Sequence, residues 1–246
     1  TLSLHDALPI CSTIKPAIAL AGLAYGEVKP EERRFCAGVY RLPGSSRMFR
    51  EGRGGRHGAV DLRDAISRSC DVYFYDLSNR LGGDRLAAFL APFGFGSVTG
   101  IDIGGEKPGL LPSREWKRKA FSRPEDQVWF PGETGNFGIG QGYFLVTPLQ
   151  LAQYTSILAN QGTSYQPRLV RALRDPATGT LHPVAPVKGA QITAVSPEQW
   201  HVVMEGMANT LRGRGTAAAT AGRNMTYALA GKTGTAQVFS VGQTEK

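Results

Sequence analysis

The sequence predicts an α+β fold, on three observations. Segments Asp61 to Leu81, Thr147 to Gly162 and Ser196 to Leu211 carry helical periodicity, with residues that start and stop helices at their ends. The run Pro16 to Tyr25 is small and apolar on every side, as a helix inside a domain is. Late in the chain, Tyr227 to Phe239 reads as a partly apolar strand broken by Lys232-Thr233-Gly234.

In chain order, Thr1 to Ile10 reads as foreign. TLSLHDALPI is what one frame of a common sequencing-library adapter encodes, so residues 1–10 are set apart from a domain spanning 11–246, and Cys11 stands at the junction. Pro16 suits the first turn of the helix that follows, where a missing N–H costs least. Gly26 to Gly58 is rich in Pro, Gly and Arg, keeps no period, and reads as a long excursion. In Asp61 to Leu81, Asp61 is the cap, Gly82 is the stop, and Ser69 falls on the helix or at a break in it. Asp84 to Phe93 is a short amphipathic helix; Glu106 to Gly142 reads as loop with exposed aromatics, the rim of a cleft. Thr147 and Ser196 cap the last two helices, each with proline at the first position.

With 246 residues, 41% of them hydrophobic and 20% charged, the chain is long enough for one sizeable core. Its formal charge of +8 favours an anionic surface or substrate. The arginines, among them Arg33, Arg34, Arg50, Arg53 and Arg56, are scattered and no nucleic-acid motif accompanies them, so a solvated basic face is expected and not nucleic acid. No signal peptide or membrane span is legible. The apolar run at Ala17 to Tyr25 is too short and has Lys15 at its base.

Chemistry enters at Ser12-Thr13-Ile14-Lys15. Three residues apart on a helix, the two polar side chains share a face, so an amine can reach the serine hydroxyl. Serine needs a partner to take its proton, and lysine can do so when burial or a neighbouring cation lowers its pKa. The helix start also favours a developing oxyanion. A lone Ser-x-x-Lys turns up about once by chance in such a chain. Here Ser69-Cys70-Asp71 and Lys232-Thr233-Gly234-Thr235 follow it, and three motifs in that order are far more specific.

With Gly140-Gln141-Gly142-Tyr143, Thr147-Pro148-Leu149-Gln150 and Gly231 to Val238, these motifs resemble the transpeptidase domain of class B penicillin-binding proteins. Ser69 to Tyr75, Gly100-Ile101-Asp102 and Arg114-Glu115-Trp116-Lys117 resemble most the elongation-specific type 2 of Gram-negative bacteria, a likeness that covers nearly all of Ser12 to Lys246. The resemblance implies the serine transpeptidase and β-lactamase-like fold, an antiparallel sheet flanked by helices with a helical subdomain. It implies a peptidoglycan D,D-transpeptidase that cross-links wall during elongation and is acylated by β-lactams. Water in place of the acceptor amine makes a carboxypeptidase or β-lactamase, and acylation without turnover makes a β-lactam sensor. For a class A β-lactamase the only Glu-x-x-x-Asn is Glu205 to Asn209, poorly placed and better read as an exposed helix pair.

On this reading Ser12, Lys15 and Ser69 are catalytic, as nucleophile, base and proton relay. Backbone N–H groups of Ser12 and Thr235 form the oxyanion hole. Asp71, Lys232, Thr233, Gly234 and Thr235 bind substrate; Lys232 also depresses the pKa of Lys15, and Asp71 stands where many relatives have Asn. The resemblance implies an N-terminal anchor and pedestal, and further strands and a helix after Lys246. The chain thus reads as truncated at both ends and as belonging to the periplasmic face of the inner membrane. Implied partners are stem peptides, β-lactams and the elongation machinery with a glycan-polymerising membrane partner. No organic cofactor is implied.

Cys36 and Cys70 leave two readings open. An exported domain with two cysteines points to a disulfide, whereas Glu51 and His57 lying between them complete a donor set for tetrahedral zinc. The resemblance implies a structural zinc held by Cys36, Glu51, His57 and Cys70, with Cys36 where a carboxylate is usual and Cys11 where glycine is usual.

Overall fold

The computed structural model describes residues 7–52 and 55–235. A 3₁₀ turn, Cys11–Ile14, feeds helix α1, Lys15–Ala24. Strands β1 (Arg34–Cys36), β2 (Val39–Arg41), β3 (Met48–Arg50) and β4 (Gly58–Val60) follow. Next come α2 (Leu62–Ser67), α3 (Asp71–Leu81), α4 (Gly83–Leu90), α5 (Arg114–Ala120), α6 (Pro124–Gln127), α7 (Pro131–Gly138) and α8 (Pro148–Ala159). Strands β5 (Thr163–Tyr165), β6 (Ala172–Arg174), β7 (Leu181–Pro183) and β8 (Lys188–Gln191) precede α9, Pro197–Asn209.

Helix α1 is the axis of the core. It is buried from Lys15 to Leu23 and packs against α2, α3, α4 and α9. Burying a side chain such as Ile18 or Leu20 completely contributes about 2 kcal/mol each, so an all-apolar helix is stable only where it is enclosed on all sides. Its ends are pinned by polar groups: Tyr154 Oη donates to the Thr13 carbonyl at 3.2 Å and Gln199 Nε2 to the Leu23 carbonyl at 3.0 Å.

The capped helices begin where the sequence places them. Asp61 accepts the Asp64 N–H at 2.9 Å, and Thr147 with Gln150 and Ser196 with Gln199 form reciprocal capping boxes. The Asp61 to Leu81 segment is two helices. α2 ends at Ser67 and α3 starts at Asp71, with Ser69 between them in the left-handed region at φ 57°.

Glu106 to Gly142 is more helical than its glycines and prolines imply. Ser113 caps α5, Pro124 and Pro131 occupy first-turn positions of α6 and α7, and the Glu133 carboxylate accepts the Phe130 N–H at 2.7 Å. The glycines of α7 are contact surface, not punctuation: a Cβ at Gly138 would lie 1.6 Å from Ser78 Oγ on α3.

Among the described residues the strands form four two-stranded antiparallel ladders, β1–β4, β2–β3, β5–β8 and β6–β7. Tyr227 to Thr235 forms no strand, because its backbone has no ladder partner among the described residues; positions 236–239 lie outside them. No described helix is long and apolar enough to cross a membrane.

The rim carries a buried ion pair. Lys117 Nζ, 4% exposed, meets Glu133 Oε1 at 2.5 Å and the Val128 carbonyl at 2.7 Å, under the rings of Phe121, Phe130 and Tyr143. Lys117→Met is expected to destabilise the protein by about 3 kcal/mol, because Glu133 loses its counter-charge and keeps only the Phe130 N–H. Lys117→Met with Glu133→Gln should recover part of that in denaturant unfolding. An unchanged midpoint for the single variant would show the pair to be idle.

Candidate active site

Lys15 is the first residue of α1 and fully buried, and a buried ammonium is stable only if its protons are taken up. Nζ meets Asp71 Oδ1 at 2.5 Å, the Ser69 carbonyl at 2.8 Å and Ser69 Oγ at 3.3 Å. Asp71 is fixed from its other side, Oδ2 accepting the Gly52 N–H at 2.9 Å. The third motif arrives from the far end of the chain: Lys232 Nζ donates to Ser69 Oγ at 2.8 Å and to the Thr233 carbonyl at 3.0 Å. The Ser69 hydroxyl thus lies between two amines.

Of these amines Lys15 holds the carboxylate. Burial lowers the pKa of Lys232 to about 7, the charge of Lys15 adds to the fall, and Asp71 opposes it. The hydrogen bond that the Ser12–Lys15 spacing leads one to expect is not formed among the described residues. The ammonium goes to Asp71 and Ser69, since a carboxylate is the stronger acceptor for a buried cation.

Ser12 lies in the 3₁₀ turn, half-buried, directly after Cys11. Cys11 has φ 52°, a conformation that favours glycine, and its N–H bonds the Gly140 carbonyl at 2.8 Å. Its Sγ contacts the Thr235 carbonyl and the Gln141 side-chain amide. The Lys232–Thr235 segment therefore crosses the start of the turn. A Cβ at Gly234 would lie 2.6 Å from Thr13 Cγ2, so the close packing of this segment on Thr13 calls for glycine. Thr233 Oγ1 shares a hydrogen bond with Thr216 Oγ1 at 2.8 Å.

Beside this group, ligand atoms of Cys36, Glu51, His57 and Cys70 all lie within 4.8 Å of one another. Cys36 Sγ is 3.5 Å from Glu51 Oε2 and 3.6 Å from His57 Nδ1, and Cys70 Sγ is 3.5 Å from Glu51 Oε2. Donors on a tetrahedron about zinc at roughly 2.0–2.3 Å are themselves about 3.3–3.8 Å apart, so the residues fit that ion. Neither Cys36 nor Cys70 is in a disulfide. Burial is the first cause of two shifts: it lowers the pKa of His57, leaving the neutral imidazole that ligates metals, and it pushes the Cys70 thiol up.

Glu51 joins the two groups. Its Oε1 accepts the Asp71 N–H at 2.9 Å and its Oε2 the Val72 N–H at 3.0 Å, at the N-terminus of α3. Motif reading missed Glu51 in this capping role, together with Gly52. The available signal was a Glu-Gly pair in an excursion otherwise dominated by arginine. Glu205 sits elsewhere, its carboxylate bonded to Arg63 Nε at 2.6 Å, as an exposed helix residue does.

Residues 5–246 match the family model described as the penicillin binding protein transpeptidase domain. The peptidoglycan D,D-transpeptidase MrdA of Haemophilus influenzae is 39% identical over 243 residues, 98% of this chain and 36% of that protein. The structure of Pseudomonas aeruginosa PBP2 in complex with WCK 5153 is 45% identical with a TM-score of 0.84, over 96% of this chain and 52% of that one. A structure describing coordination of polymerization and crosslinking by a peptidoglycan synthase complex is 31% identical with a TM-score of 0.75, over 90% of this chain and 35% of that one. The chain spans about a third of the length of the curated relatives it matches. On the match along residues 5–246, the chain belongs to the penicillin-binding protein transpeptidase family, with the α+β fold of that family.

Proposed function

We propose that the chain carries the acyl-transfer site of a peptidoglycan D,D-transpeptidase acting in cell elongation. The observation that carries the reading is the meeting of three distant motifs, with the Ser69 hydroxyl held between Lys15 of the first and Lys232 of the third. Ser12 Oγ attacks the carbonyl of a D-alanyl-D-alanine bond while the Lys15 amine, its ammonium having first passed a proton to the Asp71 carboxylate, takes the serine proton. The N–H groups of Ser12 and Thr235 receive the oxyanion. Ser69 Oγ, in reach of both amines, passes a proton to the leaving amine, and the C–N bond breaks to leave an ester on Ser12. An amine of a neighbouring stem peptide then attacks that ester, forming the cross-link and freeing the serine. We assign Asp71, Thr233, Gly234 and Thr235 to substrate binding and Lys232 to the terminal carboxylate. β-Lactams acylate the same serine.

Cys36, Glu51, His57 and Cys70 are assigned to one structural zinc; no organic cofactor is needed. Bound there, zinc would tie the excursion to the Ser69 motif and would neutralise buried thiolate and carboxylate charge. The partners are a glycan-polymerising membrane protein and the elongation machinery, at the periplasmic face of the inner membrane. We assign residues 11–246 to the transpeptidase domain and residues 1–10 to foreign sequence; native codons upstream of Ser12 at the genomic locus would refute the latter. Labelling with fluorescent penicillin, with Ser12→Ala as control, tests the site. Absence of a Ser12-dependent adduct rejects it.

Lys232 supplies a pH prediction. Its pKa of about 7 means an ammonium below that pH and a neutral amine above it, so recognition of a carboxylate weakens as pH rises through 7. The second-order rate of acylation by a carboxylate-bearing β-lactam is expected to fall on the alkaline side with a midpoint near 7. Lys232→Arg, charged throughout, should flatten that limb. Identical profiles for the two proteins would remove Lys232 from carboxylate binding.

A further inference from the structure

The β2–β3 hairpin has two unlike faces. Tyr40 and Phe49 point inward, their rings 6.1 and 4.9 Å from that of Tyr75 on α3. The outward face is a checkerboard, in which Val39 pairs with Arg50 and Arg41 with Met48. Val39 is 39% exposed and Met48 48%. The segment Val39 to Arg50 contains Arg41, Arg47 and Arg50 and no acidic residue. None of these arginines has an ion pair among the described residues, although Arg47 lies over the Phe49 ring. Arg41 and Arg50 are diagonal neighbours on one face, so two exposed guanidinium groups are presented together. The hairpin is also rooted in the candidate site, because Arg50 leads directly into Glu51 and Gly52, which hold Asp71.

We propose that this outward face docks the carboxylate-bearing stem peptides of un-cross-linked peptidoglycan, presenting the polymer to the site at Ser12. The inference rests on the transpeptidase reading and extends it to the polymer. Arginine forks match carboxylates, and Val39 and Met48 interleaved with them suit a peptide that alternates methyl groups with carboxylates. The apolar positions form no continuous wedge of the kind that enters a bilayer. Hydrogen bonds from α3 and packing on Tyr75 hold the surface in place before the polymer arrives, which limits the ordering cost of docking.

The test is co-sedimentation of the purified protein with un-cross-linked peptidoglycan, in parallel with peptidoglycan whose carboxylates are amidated and with vesicles containing phosphatidylglycerol. Arg41→Glu with Arg50→Glu is expected to weaken polymer binding about tenfold, as loss of two exposed pairs and gain of repulsion should. Amidation should weaken the parent protein similarly and erase the difference between the two proteins. Fluorescent-penicillin labelling, expected to be unchanged, reports an intact site; if the reversed pair fails to label, Arg41→Gln with Arg50→Gln takes its place. Equal polymer binding by parent and variant overturns the proposal, as does a variant-sensitive preference for the vesicles. Failure of the parent to label with penicillin while it still sediments through these arginines would instead overturn the transpeptidase reading.

Discussion

Ser12→Ala is expected to abolish covalent labelling by penicillin, a loss of roughly 10⁴-fold or more, since without a nucleophile no acyl-enzyme forms. Lys15→Ala should slow labelling by orders of magnitude, about 10³-fold, by removing the base. The two variants differ in what they leave behind. Ser12 is half-buried and its side chain makes no hydrogen bond among the described residues, so loss of the hydroxyl should leave stability nearly unchanged. Removing Lys15 leaves Asp71 with one of its two partners, the Gly52 N–H, at a position 15% exposed to water. A modest loss of stability is expected there, with a native circular-dichroism spectrum. Near-normal labelling in either variant would sink the assignment.

The second large effect is metallic. Purified protein is expected to contain about one zinc per chain by elemental analysis, and Cys70→Ser or His57→Ala should lose the ion. The cost should be roughly 3–5 kcal/mol, less than the 10–16 kcal/mol that zinc supplies to domains folded by it alone, because α1 and its neighbours form a core without metal. Chelation should also depress penicillin labelling without touching Ser12. The path runs through Glu51, whose carboxylate holds the Asp71 and Val72 N–H groups and so places the carboxylate that pairs with Lys15. Metal-free protein with an unaltered unfolding midpoint, or a Cys36 to Cys70 disulfide in the mass spectrum, would reject the site.

Much of this arrangement is legible in sequence wherever the signal is local. Asp61, Thr147 and Ser196 cap their helices because a short polar side chain followed by helix formers has one good use. The all-apolar run after Lys15 has to be enclosed, and it is. Legibility fails where the signal is tertiary. Nothing in the string around Gly138 announces that Ser78 will press on it, so a glycine-rich stretch that is helical reads as loop. The Ser12–Lys15 spacing states which side chains can meet. It cannot state that Asp71, far along the chain, will outcompete a neutral hydroxyl for a buried ammonium. The donor set of Cys36, Glu51, His57 and Cys70 is visible as residue types, whereas its closure within 4.8 Å depends on two ladders and the break before α3.

That break bears on which substitutions this domain can tolerate over time. Among the described residues the Cys36 thiol bonds only within the donor cluster, to Glu51 and His57, so a side chain of similar reach that ligates zinc can take its place, and drift between thiolate and carboxylate at this position is cheap. Glu51 answers simultaneously to the cluster and to the Asp71 and Val72 N–H groups. Aspartate is too short for all of these, and glutamine carries no charge for the ion. A lineage can therefore exchange the ligand at 36 in a single step, but it can leave Glu51 only by changing the metal and the start of α3 together.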